Sequence, residues 1–352
     1  MTVTTLDFSS DNHAGVHADV LTAISAANDG YQPAYGGDST TERLRAAAIR
    51  QFGEGTEIFP VFNGTAANVV ALQSMLPRWG AVITSAVAHI NTDEGGAPEK
   101  VAGIKMLGVP TPDGKLTPDL IDREAWGWGD EHRSQPAVVS LTQTTEFGTV
   151  YTPEELAAVC EHVHALGMTV HMDGSRISNA AASLGLPLQT CTREVGIDVL
   201  SFGGTKNGAM CAEAVVVLNP GAAQGLPYLR KFDMQLASKM RFISAQLLAL
   251  LDDDLYLRNA RHANDMAQRL RTGIEAGLTF GAIRDVAFAQ PTDANAVFAE
   301  LPDGVADRLR KYAAFHSWPG SPNLVRWMCS FATTPDEVDA FLEAIADVTG
   351  SR

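Results

Sequence analysis

The stretch TPEELAAVCEHVHALGMTVHMDG, residues 152–174, sets a capped helix directly before a short apolar strand. Thr152 suits the N-cap, Pro153 the first turn, and Glu155, three residues past the cap, completes a capping box. Gly167 stops the helix. MTVHMDG (168–174) then reads as a strand that ends on an acidic residue, Asp173. A run of the same kind, AVVSLTQ (137–143), precedes the helix. Strand, helix and strand in succession are the unit of a parallel sheet.

The pattern extends in both directions. EIFPVFNGT (57–65) reads as a strand and turn, and AANVVALQSML (66–76) follows with helical spacing. AVITS (81–85), GIKMLGV (103–109), DVLSFGG (198–204) and AEAVVVL (212–218) repeat the apolar, β-branched signature. Buried strands separated by helices imply a mainly parallel sheet covered on both faces. Beyond about residue 255 the character changes. A long amphipathic segment (255–277) leads to strands at ANAVFAEL (294–301) and NLVRWMCSF (323–331). Helices are expected at VADRLRKYAAF (305–315) and, capped by Thr334, at PDEVDAFLEAIADV (335–348). The expected organisation is a large domain over residues 1–250, including the N-terminal segment, and a small C-terminal α+β domain over 251–352.

Composition narrows the function classes. With 45% apolar and 19% charged residues, the 352-residue chain has the balance of a globular enzyme. A formal net charge of −15 and the lack of a Lys/Arg cluster argue against a nucleic-acid partner. No stretch reaches the roughly 18 apolar residues of a membrane span. The N-terminus carries no secretory pattern, and Cys160, Cys191, Cys211 and Cys329 are scattered without a C-x-x-C pair. Reduced cysteines in a cytoplasmic protein are expected, and no metal site is assigned.

Three features at strand ends carry the chemistry. Gly64-Thr65 opens a helix after a strand, a seat for an anion such as phosphate, although such turns also simply end strands. Asp173 ends an apolar strand, where it either meets a cation or proton donor or caps the next helix. Lys206 sits in SFGGTKNGAM (201–210) among Gly203, Gly204 and Gly208, either exposed to solvent or facing a ligand. Taken in order, an anion seat, a carboxylate and a lysine match pyridoxal 5′-phosphate (PLP): a phosphate, a ring nitrogen needing a carboxylate, and an aldehyde needing an amine. The P-loop pattern is absent around Lys206.

Eight stretches resemble the low-specificity L-threonine aldolases, a group of β-eliminating lyases among the fold-type I PLP enzymes. They are DFSSDNH (7–13), YGGDSTTERL (35–44), NGTAANVVAL (63–72), AHINTDEGGAPE (88–99), QTTEFGTVYTPEEL (143–156), HMDGSRISNA (171–180), SFGGTKNG (201–208) and SKMRFISAQ (238–246). The resemblance implies the aspartate aminotransferase fold, a large domain with a mostly parallel seven-stranded sheet and a smaller C-terminal α+β domain. It implies that Lys206 is the Schiff-base lysine and Asp173 the partner of the pyridine nitrogen. Arg176 resembles the residue that binds the ring's phenolic oxygen, and Gly64 and Thr65 the phosphate seat. His89 is similar to the histidine stacked on the ring, with Glu94 as a base or water-positioning residue; His89 could otherwise be a hydrogen-bonded histidine at a turn. Ser10 and Arg326 match positions that hold the substrate carboxylate. Tyr35, Lys239 and Arg241 resemble residues supplied across a subunit interface, though the last two also suit a solvated helix face.

The implied reaction is retro-aldol cleavage of L-threonine, L-allo-threonine and related β-hydroxy-α-amino acids to glycine and an aldehyde, in a cytoplasmic homotetramer built from dimers that share active sites. Another fold-type I reaction such as β-elimination, or a preference for phenylserine, is the alternative. One departure stands out. Many relatives carry a histidine in an E-N-T-H-N-G pattern where this chain has Thr142-Gln143-Thr144-Thr145-Glu146-Phe147-Gly148. That leaves Glu146, His89 and water as candidate bases for the substrate hydroxyl.

Overall fold

A computed structural model describes residues 6–350. Its centre is a seven-stranded sheet made of β1 (Glu57–Val61), β2 (Gly80–Ser85), β3 (Lys105–Val109), β4 (Gln135–Thr142), β5 (Thr169–Gly174), β6 (Val199–Gly203) and β7 (Glu213–Val217). The spatial order is β1-β7-β6-β5-β4-β2-β3. Only β7 runs antiparallel to its neighbours. Every residue of β2, β6 and β7 is buried, which explains why these strands read as continuous apolar runs.

Helices cover both faces: α1 (Ser39–Phe52), α2 (Gly64–Met75), α3 (Pro153–Ala165), α4 (Ile177–Leu184) and α5 (Arg241–Leu251). The capping box at α3 forms as its sequence dictates. Thr152 Oγ1 accepts from the Glu155 N–H, and the Glu155 carboxylate accepts from the Thr152 N–H. Such a box stabilises a helix start by about 1 kcal/mol.

The 26-residue α6 (Leu255–Phe280) leads into a second core. There β8 (Ala296–Glu300) and β9 (Ser321–Met328) belong to a four-stranded antiparallel sheet packed on α6 and α7 (Pro335–Gly350). Thr334 and Glu337 form a capping box at α7, matching the sequence pattern. Two features differ from expectation. The helix expected over 305–315 stops at Leu309, because Ala313–Ala314 pairs in parallel with the short strand Leu6–Asp7. Phe8 follows that strand into the second core, stacked on Phe341 with ring centroids 4.6 Å apart. Residues 6–8 are therefore packed with the C-terminal residues, whereas Val20 lies in the core of the central sheet.

Candidate active site

The register of the central strands brings the expected chemistry together. Thr142 at the end of β4 lies beside Asp173 near the end of β5, which lies beside Ser201 in β6. Lys206 follows β6 on the Thr205–Asn207 turn, at the same sheet edge. In an open α/β sheet this carboxyl edge is where ligands bind.

The Lys206 turn is held by a residue that sequence reasoning missed. Glu213, which pairs with Gly203 across the ladder, accepts from the Gly204 N–H at 2.6 Å and the Thr205 N–H at 3.3 Å. Its carboxyl is raised above the ordinary range by burial. Lys206 is shifted the other way: burial, then the neighbouring Arg176, lower its pKa, opposed by Asp11, Asp173 and Glu213. The glycines beside it serve close packing. A side chain at Gly203 would collide with the Ser175 backbone, and one at Gly204 with the Ala212 carbonyl. They allow the protein's own strands to approach.

Asp173 is buried and does not cap α4, whose N-cap is Arg176. One carboxylate oxygen accepts from the Ser175 N–H at 3.0 Å and the other from Asn68 Nδ2 at 2.9 Å. Against burial, Lys206 and these donors hold its pKa below the usual value. Asn68 lies one turn inside α2 and was not foreseen. The same Nδ2 also donates to Glu94 Oε1 at 2.8 Å. Glu94 Oε1 in turn meets His89 Nδ1 at 2.8 Å, and this bond raises the histidine's pKa. His89, Glu94, Asn68 and Asp173 thus form one chain of hydrogen bonds. His89 opens a one-turn helix, and its backbone N–H is taken by Glu146 Oε1 at 2.8 Å.

At the start of α2, Asn63 caps through the Ala66 N–H, and its carbonyl accepts from Ala67 N–H. The Gly64 and Thr65 N–H groups remain as the donors of that turn, with open space where a Gly64 side chain would stand.

Arg176 forms a fork with Asp11: Nε to Oδ2 at 2.7 Å and Nη2 to Oδ1 at 2.9 Å. Asn295 Nδ2 also donates to Asp11, at 3.2 Å. Asp11 is 2% exposed and had no sequence signal beyond its place beside Ser10. Ser10 caps the Asp11–His13 turn, and the preceding Ser9 carbonyl accepts from Arg326 Nη2 at 3.3 Å. Arg326, on β9, has a buried Nε with no partner. Burial and Arg176 lower its pKa to about 10.

Tyr35, Lys239 and Arg241 lie elsewhere on this chain. Tyr35 is 53% exposed and its N–H donates to the Ser238 carbonyl at 3.0 Å. Lys239 is exposed next to it, and Arg241 Nη1 donates to the Gly30 carbonyl at 3.1 Å. Among the described residues, no group of three His, Cys, Asp or Glu side chains is arranged to hold a metal ion. No helix among them is long and apolar enough to cross a membrane.

The arrangement offers an anion seat, an ionised buried carboxylate, an amine of lowered basicity and an arginine with an unused donor. Comparison with known proteins gives the family. The chain is 42% identical to the low specificity L-threonine aldolase of a Pseudomonas species over 95% of both chains. It is 40% identical to that of Pseudomonas aeruginosa over the full length of both. The structure of a Leishmania major threonine aldolase superposes with a TM-score of 0.89 at 27% identity, covering 98% of this chain and 99% of the other. Residues 7–301 match the beta-eliminating lyase family, and the chain belongs to it.

Proposed function

We propose that this protein is a PLP-dependent aldolase that cleaves L-threonine, L-allo-threonine and related β-hydroxy-α-amino acids to glycine and an aldehyde. The observation that carries the reading is the meeting of Lys206, Asp173 and Arg176 at one sheet edge, beside the open turn at Gly64-Thr65. Unpartnered polar atoms support the fit. Asn68 Oδ1, Glu94 Oε2, Glu146 Oε2 and Arg326 Nε are all buried without a hydrogen bond, as expected where a polar ligand completes the set.

When bound, PLP supplies the electron sink for carbon–carbon cleavage. The chain's own groups hold and orient. Lys206 Nζ is the amine for the cofactor aldehyde, and its lowered pKa keeps more of it neutral and nucleophilic. Asp173, held ionised, would keep a proton on the ring nitrogen. Gly64 and Thr65 N–H groups would hold the phosphate at the positive end of α2. Arg176, braced by Asp11, has Nη1 left for the ring oxygen. Arg326 and Ser10 grip the substrate carboxylate and so fix which bond at Cα is aligned for cleavage.

The test is product analysis of the PLP-loaded protein on threonine, allo-threonine, serine and phenylserine. Glycine and the matching aldehyde are expected. Pyruvate and ammonia in their place would identify a β-eliminating enzyme.

The assembly that goes with this reading is a homotetramer of dimers. Tyr31, Tyr228, Phe232 and Met234 are strongly exposed on the segments that carry Tyr35 and Lys231, whose Nζ lies 5.2 Å from the Tyr35 ring centroid. Large apolar patches of this kind mark contact surfaces. A second copy on this face would receive Tyr35, Lys239 and Arg241 at its own site. Sedimentation of the purified protein tests the assembly. Free, mostly buried cysteines suit a reducing, cytoplasmic setting.

A further inference from the structure

Glu146 occupies the loop where this chain departs from its relatives' histidine pattern, and its surroundings are unusual. Oε1 accepts two neutral donors, the His89 N–H at 2.8 Å and Thr142 Oγ1 at 3.0 Å. Oε2 is buried and has no partner. The carboxyl therefore has one oxygen fixed by the protein and one left for something else. On one side stands His89. On the other, Phe147 stacks on Trp318 with ring centroids 4.8 Å apart and leans on Phe298 at 6.2 Å. Phe298 is paired with Arg326 across the β8–β9 ladder, so the two share a face of that sheet. Glu146 is thus bracketed between the histidine of the cofactor site and the strand pair that carries the carboxylate-gripping arginine.

We propose that Glu146 is the catalytic base that takes the proton from the substrate's β-hydroxyl, an assignment that rests on the aldolase reading above. The hydroxyl proton moves to Oε2, and the oxygen's electron pair closes the aldehyde C=O. The Cα–Cβ bond breaks, and its pair stays on the carbon that becomes glycine Cα. A solvent proton completes glycine, and Glu146 returns its proton to solvent. The protonation range suits the task. Burial lifts the Glu146 carboxyl to about 7, aided by the negative Asp173 and opposed by the His89 and Thr142 donors. The other ionisable groups that act on it are Arg176 at the start of α4 and Tyr151 after the loop. The competing carboxylate, Glu94, also has an unpartnered Oε2, but its Oε1 is shared between His89 Nδ1 and Asn68 Nδ2 within the chain that leads to Asp173, whereas Glu146 accepts only from the His89 N–H and Thr142 Oγ1.

Glu146→Gln keeps an acceptor oxygen for the His89 and Thr142 donors but cannot take a proton. In the PLP-loaded variant, aldehyde release is expected to fall about 10²–10⁴-fold. The visible absorbance of the bound cofactor should be retained. Exchange of the glycine Cα proton with deuterated solvent, which needs no hydroxyl base, should stay within about threefold. In the parent, kcat/KM should rise with pH through about 7, and this limb should vanish in the variant. Thr142→Val, which removes a donor to the ionised form, should move the limb to higher pH. An active parent with a Gln variant of near-normal rate and unchanged pH profile overturns the assignment alone. Equal loss of aldehyde release and glycine exchange also overturns it, in favour of a structural role. A parent that releases no aldehyde from any β-hydroxy amino acid overturns the aldolase reading itself.

Discussion

Arg176 and Arg326 enter the same site from opposite sides, and the protein treats them differently. Arg176 comes from the sheet edge and is locked by the Asp11 fork, with Met328 Sδ a further 3.2 Å from Nη2. Against burial, that carboxylate raises its pKa above the ordinary value. Arg326 comes from the C-terminal strands with one long bond to a carbonyl, an unpartnered Nε and a lowered pKa. The first is a finished ion pair and the second an unfinished one. A buried guanidinium left short of acceptors is costly unless a ligand supplies them. The contrast separates groups that build the site from groups that wait for something to enter it.

That division can be broken by mutation. Lys206→Ala removes a waiting group, so aldehyde release and the cofactor's visible band should both be lost, by at least about a thousandfold in rate. Its melting temperature without cofactor should stay near the parent's; a large drop would move Lys206 to the building class. Asp11→Ala breaks the finished pair and strands Arg176. Stability should fall by about 3–5 kcal/mol, read as a lower denaturant midpoint. A variant as stable as the parent would show that Arg176 needs no anchor. Arg326→Gln should not lower stability and should raise KM about 10–100-fold, the value of a charge-assisted hydrogen bond to a carboxylate. An unaltered KM with a lower melting temperature would reverse the assignment.

The gentlest effect concerns pH. His171 is buried one row behind Asp173, between Ser140 Oγ at 2.9 Å and Ser201 Oγ at 3.0 Å. Burial lowers its pKa to about 4 from an unperturbed 6.5. The folded state thus resists protonation that the unfolded chain accepts. Stability should be full above about pH 6.5 and decline as pH falls towards 4. In His171→Asn this decline should be shallower, as urea titrations at pH 7 and pH 5 would record.

Much of the building and waiting chemistry was legible in the sequence because it sits next to recognisable local structure. Asp173 and Lys206 follow apolar strands, Gly64-Thr65 opens a helix, and the Thr152 box fixes where α3 begins. Asn68, Asp11 and Glu213 were not legible. Asn68 meets Asp173 across 105 positions and Asp11 meets Arg176 across 165, so their roles exist only once the chain has folded. In sequence, Asn68 is one polar residue in an apolar helix and Glu213 the first residue of a strand. The short strand at Ala313–Ala314 was hidden for the same reason. Local spacing favoured a continued helix, and only the distant Leu6–Asp7 segment competes for that backbone.

That pairing also sets an order of events. Residues 57–217 supply the whole central sheet, so the floor bearing Asp173 and Lys206 can form while the chain is still being made. Leu6–Asp7 is synthesised 307 positions ahead of its partner strand, Ala313–Ala314. Asp11, Ser10 and Arg326 take their places only then. During synthesis the floor bearing Asp173 and Lys206 precedes the side that carries Asp11 and Arg326, and that side stays open until Leu6–Asp7 meets Ala313–Ala314.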